Sequence, residues 1–375
     1  MNDIASRYDA VIVGAGMAGA SLAAEIAPYM SVLLVEMEAQ PGYHATGRSV
    51  AFWVESYGGP DIAPLTAASG PILANPSPDF SAEGFLSPRG SILLGRAVDL
   101  PLRDAVLADF MGRDLFRTVE AGELHGRIPG LKPDWVLGLA EDNTRDIDVA
   151  RLHASCLSAF ARRGGRLLCG EELCGARAEP GGGWHIALSS GDVKTALLVN
   201  AAGAWADMVA RSCGVPPVGI LPYRRTVAQL RVDPPAALDL PVVIDLNENF
   251  YFKPSGGGRI WLSPHDEHPQ APGDVAADEL DVAIAIDRLQ QVVDWRIEAV
   301  ERKWAGLRSF APDRLPVYGR DPVCPDFFWF AGQGGFGIQT APAAAKLGRW
   351  LIVGGERDAA LRDIDAAFYA PDRFR

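Results

Sequence analysis

The chain has 375 residues, 48% of them hydrophobic and 22% charged, a globular composition with enough apolar material for two cores and little place for disorder. A formal net charge of −12 disfavours polyanions and anionic lipid surfaces, so the expected partner is a small molecule, with no nucleic acid and no integral membrane segment. Five cysteines, an odd set without a C-x-x-C pair, suggest neither a disulfide framework nor a metal site.

The apolar stretch 10–27 is interrupted by glycines at turn spacing, which a membrane span would not be, and no basic segment precedes it. The expectation is a cytoplasmic protein, or one peripheral to the inner membrane. Residues 9–13 form a short apolar run that reads as a buried strand. Gly14-Ala15-Gly16-Met17-Ala18-Gly19 then turns into an alanine-rich helix that ends before Pro28, and residues 31–35 read as a second buried strand with Glu36 at its carboxyl end. This is a βαβ unit. Gly14 permits the tight turn, Gly16 lets the backbone approach a pyrophosphate, and Gly19 lets the helix pack on the strand. Glu36, 17 residues after Gly19, is placed to accept hydrogen bonds from ribose hydroxyls and would repel a 2′-phosphate. The unit therefore predicts a dinucleotide, and by itself leaves FAD and NAD both open.

Residues 41–91 are dense in Gly, Pro and Ser and read as loop around short helices, a composition suited to lining a site. Residues 103–123 read as helix, as do 146–163, followed by a strand near 166–168 and a hairpin whose Gly181-Gly182-Gly183 turn faces solvent. These suit the outer edge of the first sheet. Residues 197–200 are another buried strand. Short runs at 227–231, 242–245, 250–253 and 259–263 predict an antiparallel sheet and hence a different domain. Residues 279–295 read as an amphipathic helix, 327–331 as a last buried strand and 341–353 as a closing helix. The fold class is α/β: a Rossmann-like cofactor domain (1–87, 147–222 and 305–375) interleaved with an α+β substrate domain (88–146 and 223–304) built on an antiparallel sheet. A second glycine cluster, from Ala331 through Gln333, Gly334, Gly335, Phe336 and Gly337 to Ile338, lies between the last strand and the closing helix. Backbone amides there suit the electron-rich edge of a ring that gathers negative charge on reduction, which tilts the cofactor toward FAD.

The ordered segments DAVIVGAGMAGA with LLVEME, VNAAGAWA, GLRSFAPDRLPVYG and AGQGGFGIQTAPAAA resemble the superfamily of D-amino-acid oxidase, glycine oxidase and sarcosine oxidase nearly end to end. Within it, PGYHATGRS, LTAAS, LSPR, FYFKP and WAGLRSF look most similar to bacterial FAD-dependent D-arginine dehydrogenases. The resemblance implies FAD contacts from Gly14, Gly16, Met17, Ala18, Gly19, Glu36, Met37, Gly47, Arg48, Ser49, Ala51, Leu173, Ala202, Gly203, Trp205 and residues 333–338. Arg48 also reads independently as a cation near the pyrophosphate. The resemblance places the substrate carboxylate on Arg225 and Arg308, whose planar guanidinium groups each suit a carboxylate with two parallel bonds. Arg224 would point to the opposite face of its strand, and the sequence does not say which of the two faces inward. Tyr251 is expected to add a bond to the carboxylate, Tyr57 to shape the entrance, and the Gly335 carbonyl to accept from the amino group.

Three positions depart from the D-arginine dehydrogenase pattern. Ser91 stands where a glutamate would pair with the substrate guanidinium, and Phe52 and Val54 stand where a histidine and a threonine would line the pocket. A cationic side chain buried there without a counter-charge would cost several kcal/mol, so a neutral or apolar side chain is expected, with Glu55 the one residue able to serve a basic substrate if the loop shifted. His44 lies in PGYHATGRS, and FAD is expected without a covalent bond. The implied reaction is oxidative deamination of a D-amino acid by hydride transfer from Cα to flavin N5. An FAD-dependent 2-hydroxy acid or secondary amine dehydrogenase, and a flavin-binding protein without turnover, are the alternatives. Whether a quinone or dioxygen takes the electrons is not legible.

Overall fold

A computed structural model describes residues 6–375 of the chain. Strand β1 (Arg7–Val13) lies parallel to β2 (Val32–Glu36), with Val13 beside Val35, and on its other side parallel to Gly191–Asn200, with Val13 beside Asn200. Arg166–Cys169 extends the parallel set beyond β2, and Phe327–Ala331 extends it beyond Gly191–Asn200. The carboxyl halves of β1, β2 and Gly191–Asn200 are buried without alternation because both faces of the sheet are covered there. Helix α1 (Met17–Ile26) covers one face, packed between helices Val149–Arg162 and Ala341–Val353. Its small residues Gly19, Ala20, Ser21, Ala23 and Ala24 are buried and let the three helices approach closely. The hairpin Leu173–Ala178 with Trp184–Leu188 closes one edge of this eight-stranded sheet, where the sequence put it.

A second sheet has nine strands. Its longest pair is Leu221–Ala236 with Arg296–Phe310, antiparallel, and the sheet continues from Leu221–Ala236 through Gly258–Ser263, Tyr251–Gly256 and Val242–Asp245 to Ser91–Arg96 and Trp135–Glu141. Helix Glu279–Val292 buries Val282, Ala285 and Leu289 in the core beneath this sheet. A three-stranded ribbon of Phe52–Trp53, Arg145–Ile147 and Leu86–Pro88 lies between segments of both sheets in sequence. The chain is thus an α/β fold with a Rossmann-like sheet interleaved with a mostly antiparallel one. Among the described residues, no helix is long and apolar enough to cross a membrane.

Several elements differ from the reading of the sequence. The helix expected over 103–123 is Leu100–Asp109, followed by strand Arg117–Val119 and helix Ala121–Arg127. Gly112 at φ +86 and Asp114 at φ +34 turn the chain between them, a backbone that no helix accommodates. Within 41–91 a 12-residue helix, Ala63–Ala74, forms despite an internal proline at Pro71. The 15-residue strand Arg296–Phe310 went unread because its outer half is charged and mostly exposed, with only a short alternation at 296–300. Val242–Asp245 is antiparallel to Tyr251–Gly256 but parallel to Ser91–Arg96, since the latter arrives from a distant segment instead of a hairpin.

Candidate functional site

The carboxyl ends of β1, β2 and Gly191–Asn200 open into one long cavity of about 470 Å³ that runs from the first glycine turn to the arginine-bearing strands of the second sheet. Ligands in open α/β sheets bind at this edge. At the turn, Gly14 has φ +100, and a Cβ on it would stand 2.5 Å from the Ala201 carbonyl oxygen. A Cβ on Gly19 would stand 1.9 Å from the Gly14 carbonyl oxygen, so helix and turn can meet only at glycine. The Ala15 N–H donates to Glu36 Oε2 at 2.8 Å and the Glu38 N–H to Oε1 at 3.1 Å. Glu36 therefore ties the turn to the end of β2 while still lining the cavity.

Two residues that the sequence did not single out finish this end. Thr46 Oγ1 accepts the Met17 N–H at 2.9 Å, and His153 Nε2 lies 2.9 Å from the Ala15 carbonyl, which can only accept. Burial pushes His153 below its ordinary pKa. Met17, Ala18, Met37, Ser49, Leu173, Ala202, Gly203, Trp205, Gln333, Gly334, Gly337 and Ile338 all line the cavity. Gly19, Gly47, Ala51 and Phe336 do not line it. Gly19 is the helix–turn contact, and the Gly47 N–H donates to the Gly42 carbonyl at 2.8 Å in the loop beneath. Arg48 reaches the wall, but its guanidinium bonds Asp274 at 2.5 Å and the Val275 and Ala305 carbonyls at 3.1 Å. His44 Nε2 is 2.8 Å from Glu38 Oε1, with its ring 4.7 Å from that of Trp205.

At the far end the strand register decides the question the sequence left between Arg224 and Arg225. Tyr223 lies opposite Arg308 on Arg296–Phe310, and side chains two apart share a face, so Arg225 stands beside Arg308 and Arg224 turns away. Arg224 instead bonds Asp281 at 2.6 Å. Arg225 is 6% exposed, bonds Glu267 through Nη2 at 2.9 Å, and leaves Nε and Nη1 without a partner. Burial, and then the neighbouring Arg308 charge, lower its pKa. Arg308 Nη1 donates to the Tyr57 hydroxyl at 2.7 Å, and Tyr57, expected at the entrance, does not itself line the cavity. A Cβ on Gly335 would lie 2.6 Å from that hydroxyl and 3.0 Å from Arg308 Nη1, which explains glycine there. Tyr251 is buried in the same wall, its pKa raised by burial, with Phe52 at 5.8 Å and His265 at 5.1 Å between ring centroids.

Three expected pocket residues are placed differently. Ser91 is 1% exposed, does not line the cavity, and its hydroxyl is bonded to Thr144 at 2.8 Å. Val54 is buried, with its N–H donated to Gln339 Oε1 at 3.2 Å, and Phe52 stands behind Tyr251 and Tyr57. Glu55 is held by Arg113 at 3.1 Å. The segment Pro264–His268, unremarked in the sequence, proves central. Asp266 accepts from the Thr226 N–H at 2.7 Å, and Glu267 bridges Arg225 to Arg314. His265 lies 2.7 Å from the Glu248 carbonyl through Nδ1, so that nitrogen carries the hydrogen. Burial, then Arg225 and Arg308, hold its imidazole neutral by pushing its pKa well down. Both His265 and Glu248 sit at positive φ, +54 and +57, the left-handed region that favours glycine.

A family model described as FAD dependent oxidoreductase matches residues 9–349. The chain is 27% identical over 184 residues to FAD-dependent oxidoreductase domain-containing protein 1 of Xenopus laevis, covering 45% of this chain and 37% of that protein. It is 26% identical over 386 residues to mitochondrial dimethylglycine dehydrogenase of Mus musculus, covering 93% of this chain and 43% of that one. The chain thus spans less than half the length of these two relatives. The crystal structure of glycine oxidase from Geobacillus kaustophilus superposes with a TM-score of 0.83 at 21% identity, covering 98% of both chains. The residues present fit FAD: a glycine cradle that any Cβ would fill, a carboxylate at the end of β2, and at the other end the glycine-rich segment 333–338.

Proposed function

Because the chain belongs to the FAD-dependent oxidoreductase family, we propose that it oxidatively deaminates a D-amino acid with a neutral or apolar side chain. Supporting this reading above all is Arg225, a buried guanidinium with Nε and Nη1 unpartnered at the end of the cavity opposite the glycine turn. Glu267 engages only Nη2, so two donors of a buried guanidinium stay unsatisfied at a cost that a ligand carboxylate removes. FAD, when bound, supplies the two-electron acceptor for the hydride leaving Cα.

The chain's own residues do the rest by position. Arg308 and Arg225 take the carboxylate from two neighbouring strands, and the Tyr251 hydroxyl adds a neutral donor from a third. Two-point attachment fixes the orientation of Cα as well as binding it. The Gly335 carbonyl accepts from the amino group. Phe52 backs Tyr251 and Tyr57 from behind, and Glu55, engaged by Arg113, offers no free charge to a basic side chain. The imino acid is then hydrolysed to a 2-oxo acid and ammonia, and the electrons pass to dioxygen or a quinone.

The test is anaerobic mixing of the yellow protein with D-amino acids, their L-enantiomers, 2-hydroxy acids and N-methylated glycines, following loss of the flavin band. Rapid bleaching by neutral D-amino acids is expected; bleaching by 2-hydroxy acids alone would sink the reading. Oxidation of a secondary or tertiary amine is the second reading, favoured by the match along 93% of this chain to dimethylglycine dehydrogenase. The N-methylated substrates in the same panel decide it.

Two further outcomes are expected. Among the described residues, no lysine, aspartate or glutamate lines the arginine end of the cavity, so the rate of flavin reduction should rise with pH until the bound amine is neutral. A profile flat from pH 6 to 10 would count against that scheme. Replacing Ser91 with glutamate should add a carboxylate in a site without cation, opposite Glu141 in the strand register. A loss of several degrees in Tm is expected from such a buried charge, with no bleaching by D-arginine gained. A stable variant that oxidises D-arginine would contradict the placement of Ser91.

A further inference from the structure

Glu141 ends the strand Trp135–Glu141 in the second sheet and is 1% exposed, yet no cation bonds it. Its partners are all on one short turn. Oε1 accepts the Glu55 N–H at 2.7 Å and the Ser56 N–H at 3.4 Å, and Oε2 accepts the Ser56 hydroxyl at 2.5 Å. The next residue on that turn is Tyr57, whose hydroxyl receives Arg308 Nη1. Gln339 holds the same turn from the other side, its amide accepting from Val54 and donating to the Tyr57 carbonyl, both at 3.2 Å. Gln339 follows directly on the glycine-rich segment 333–338. The tyrosine that touches Arg308 is thus fixed by two polar side chains, one from each sheet region, and neither touches the cavity.

We propose that Glu141 is a positioning residue that sets the reach of Tyr57 and, through it, the aim of the Arg308 guanidinium. This rests on the reading that Arg308, which Tyr57 holds from outside the cavity lining, faces the substrate carboxylate. A carboxylate is suited to the task because two backbone N–H groups and a hydroxyl converge on it, and charge-assisted bonds to an anion are shorter and stronger than those to a neutral oxygen. A merely structural tie would need no charge in so apolar a place.

The same geometry makes the grip sensitive to pH. Burial pushes the Glu141 carboxyl up to about 7, against the three bonds that favour its ionised form. On protonation, Oε2 can still share a hydrogen with Ser56, but Oε1 becomes a weaker acceptor for the Glu55 and Ser56 N–H groups. The charged neighbour on the turn is Glu55, itself paired with Arg113, and its negative charge raises Glu141 further. On the strands, Ser91 opposite and Thr144 beyond are neutral and bonded to each other, while Asp142 is paired with Arg117 and Arg127. The grip is therefore firm above pH 7 and loosens as pH falls below it.

The experiment titrates benzoate, a carboxylate with no amine to confuse the pH dependence, into the FAD-loaded enzyme and follows the flavin absorption change from pH 6 to 8. Wild type is expected to bind more weakly as pH falls, with a midpoint near 7. Glu141→Gln should weaken binding roughly tenfold at pH 8 and abolish that pH dependence. Ser56→Ala, which removes only the hydroxyl, should cost roughly threefold and guards against a Glu141 variant that fails to fold. Combined with Tyr57→Phe, the Glu141→Gln loss should shrink markedly, since both act through one contact. Independent, multiplying losses, or wild-type affinity and pH dependence in Glu141→Gln, would overturn the proposal. If wild type binds no benzoate at any pH, the carboxylate reading of the arginine end falls first and carries this one with it.

Discussion

Arg308→Leu lowers kcat/KM for the preferred amino acid by roughly a thousandfold, while FAD binding and Tm stay close to wild type. The expected size follows from chemistry: truncating one partner of a desolvated, hydrogen-bonded charge pair costs about 2 to 5 kcal/mol, and 4 kcal/mol is about a thousandfold. Losing Arg308 also frees the Tyr57 hydroxyl, so the carboxylate loses its orientation along with one of its cations. Arg225 remains and still attracts the anion, but a single guanidinium does not fix the Cα hydrogen toward the cofactor. Arg308→Lys should recover only part of the loss, because an ammonium cannot make the paired, planar contact. The measurement is steady-state kinetics together with single-turnover flavin reduction; an Arg308→Leu enzyme within tenfold of wild type would remove Arg308 from the site.

Gly19→Ala yields a protein that purifies largely colourless. The added Cβ would lie 1.9 Å from the Gly14 carbonyl oxygen, inside any van der Waals contact, and that oxygen belongs to the backbone and cannot step aside. Helix α1 must therefore lift from the turn, and the turn must rearrange with it, carrying the Ala15 N–H away from Glu36. Loss of FAD affinity by roughly a hundredfold or more is expected, since the cradle depends on backbone atoms held within a fraction of an ångström. Gly164→Ala is the control, because nothing stands within 4 Å of a Cβ there, although its φ of +81 adds some strain of its own. Absorbance at the flavin band relative to protein decides the matter, and a fully yellow Gly19→Ala protein would refute the packing argument.

The nucleotide end of the cavity was readable because its signal is local. Gly14, Gly16, Gly19 and Glu36 fall within 23 residues, and Gly14 and Gly19 answer steric demands from the Ala201 backbone and from the turn itself. The arginine end was readable only through likeness to known families, and even then the face of Arg225 had to wait for the pairing of Tyr223 with Arg308. Glu141, His265 and Glu267 carried no signal that a single sequence could expose. Their meaning lies in partners far along the chain: Glu141 grips a turn 85 residues upstream, and Glu267 meets Arg225 across 42 residues. Ser91 shows the converse error. The motif likeness put it in the pocket, but its hydroxyl is satisfied by Thr144 and its side chain is closed off from the cavity.

The two arginines proposed to take the substrate carboxylate stand at positions 225 and 308, with most of the second sheet's later strands between them. They meet because the strands that carry them are paired along their length, so the chain between is a closed loop whose ends are already pinned. Loop-closure entropy rises only logarithmically, and doubling such an excursion costs about 0.6 kcal/mol. Insertions at the exposed turns of that excursion therefore cost little in closure entropy while the guanidinium pair stays in register. Recognition of a carboxylate and discrimination among side chains are, in this architecture, separable inheritances.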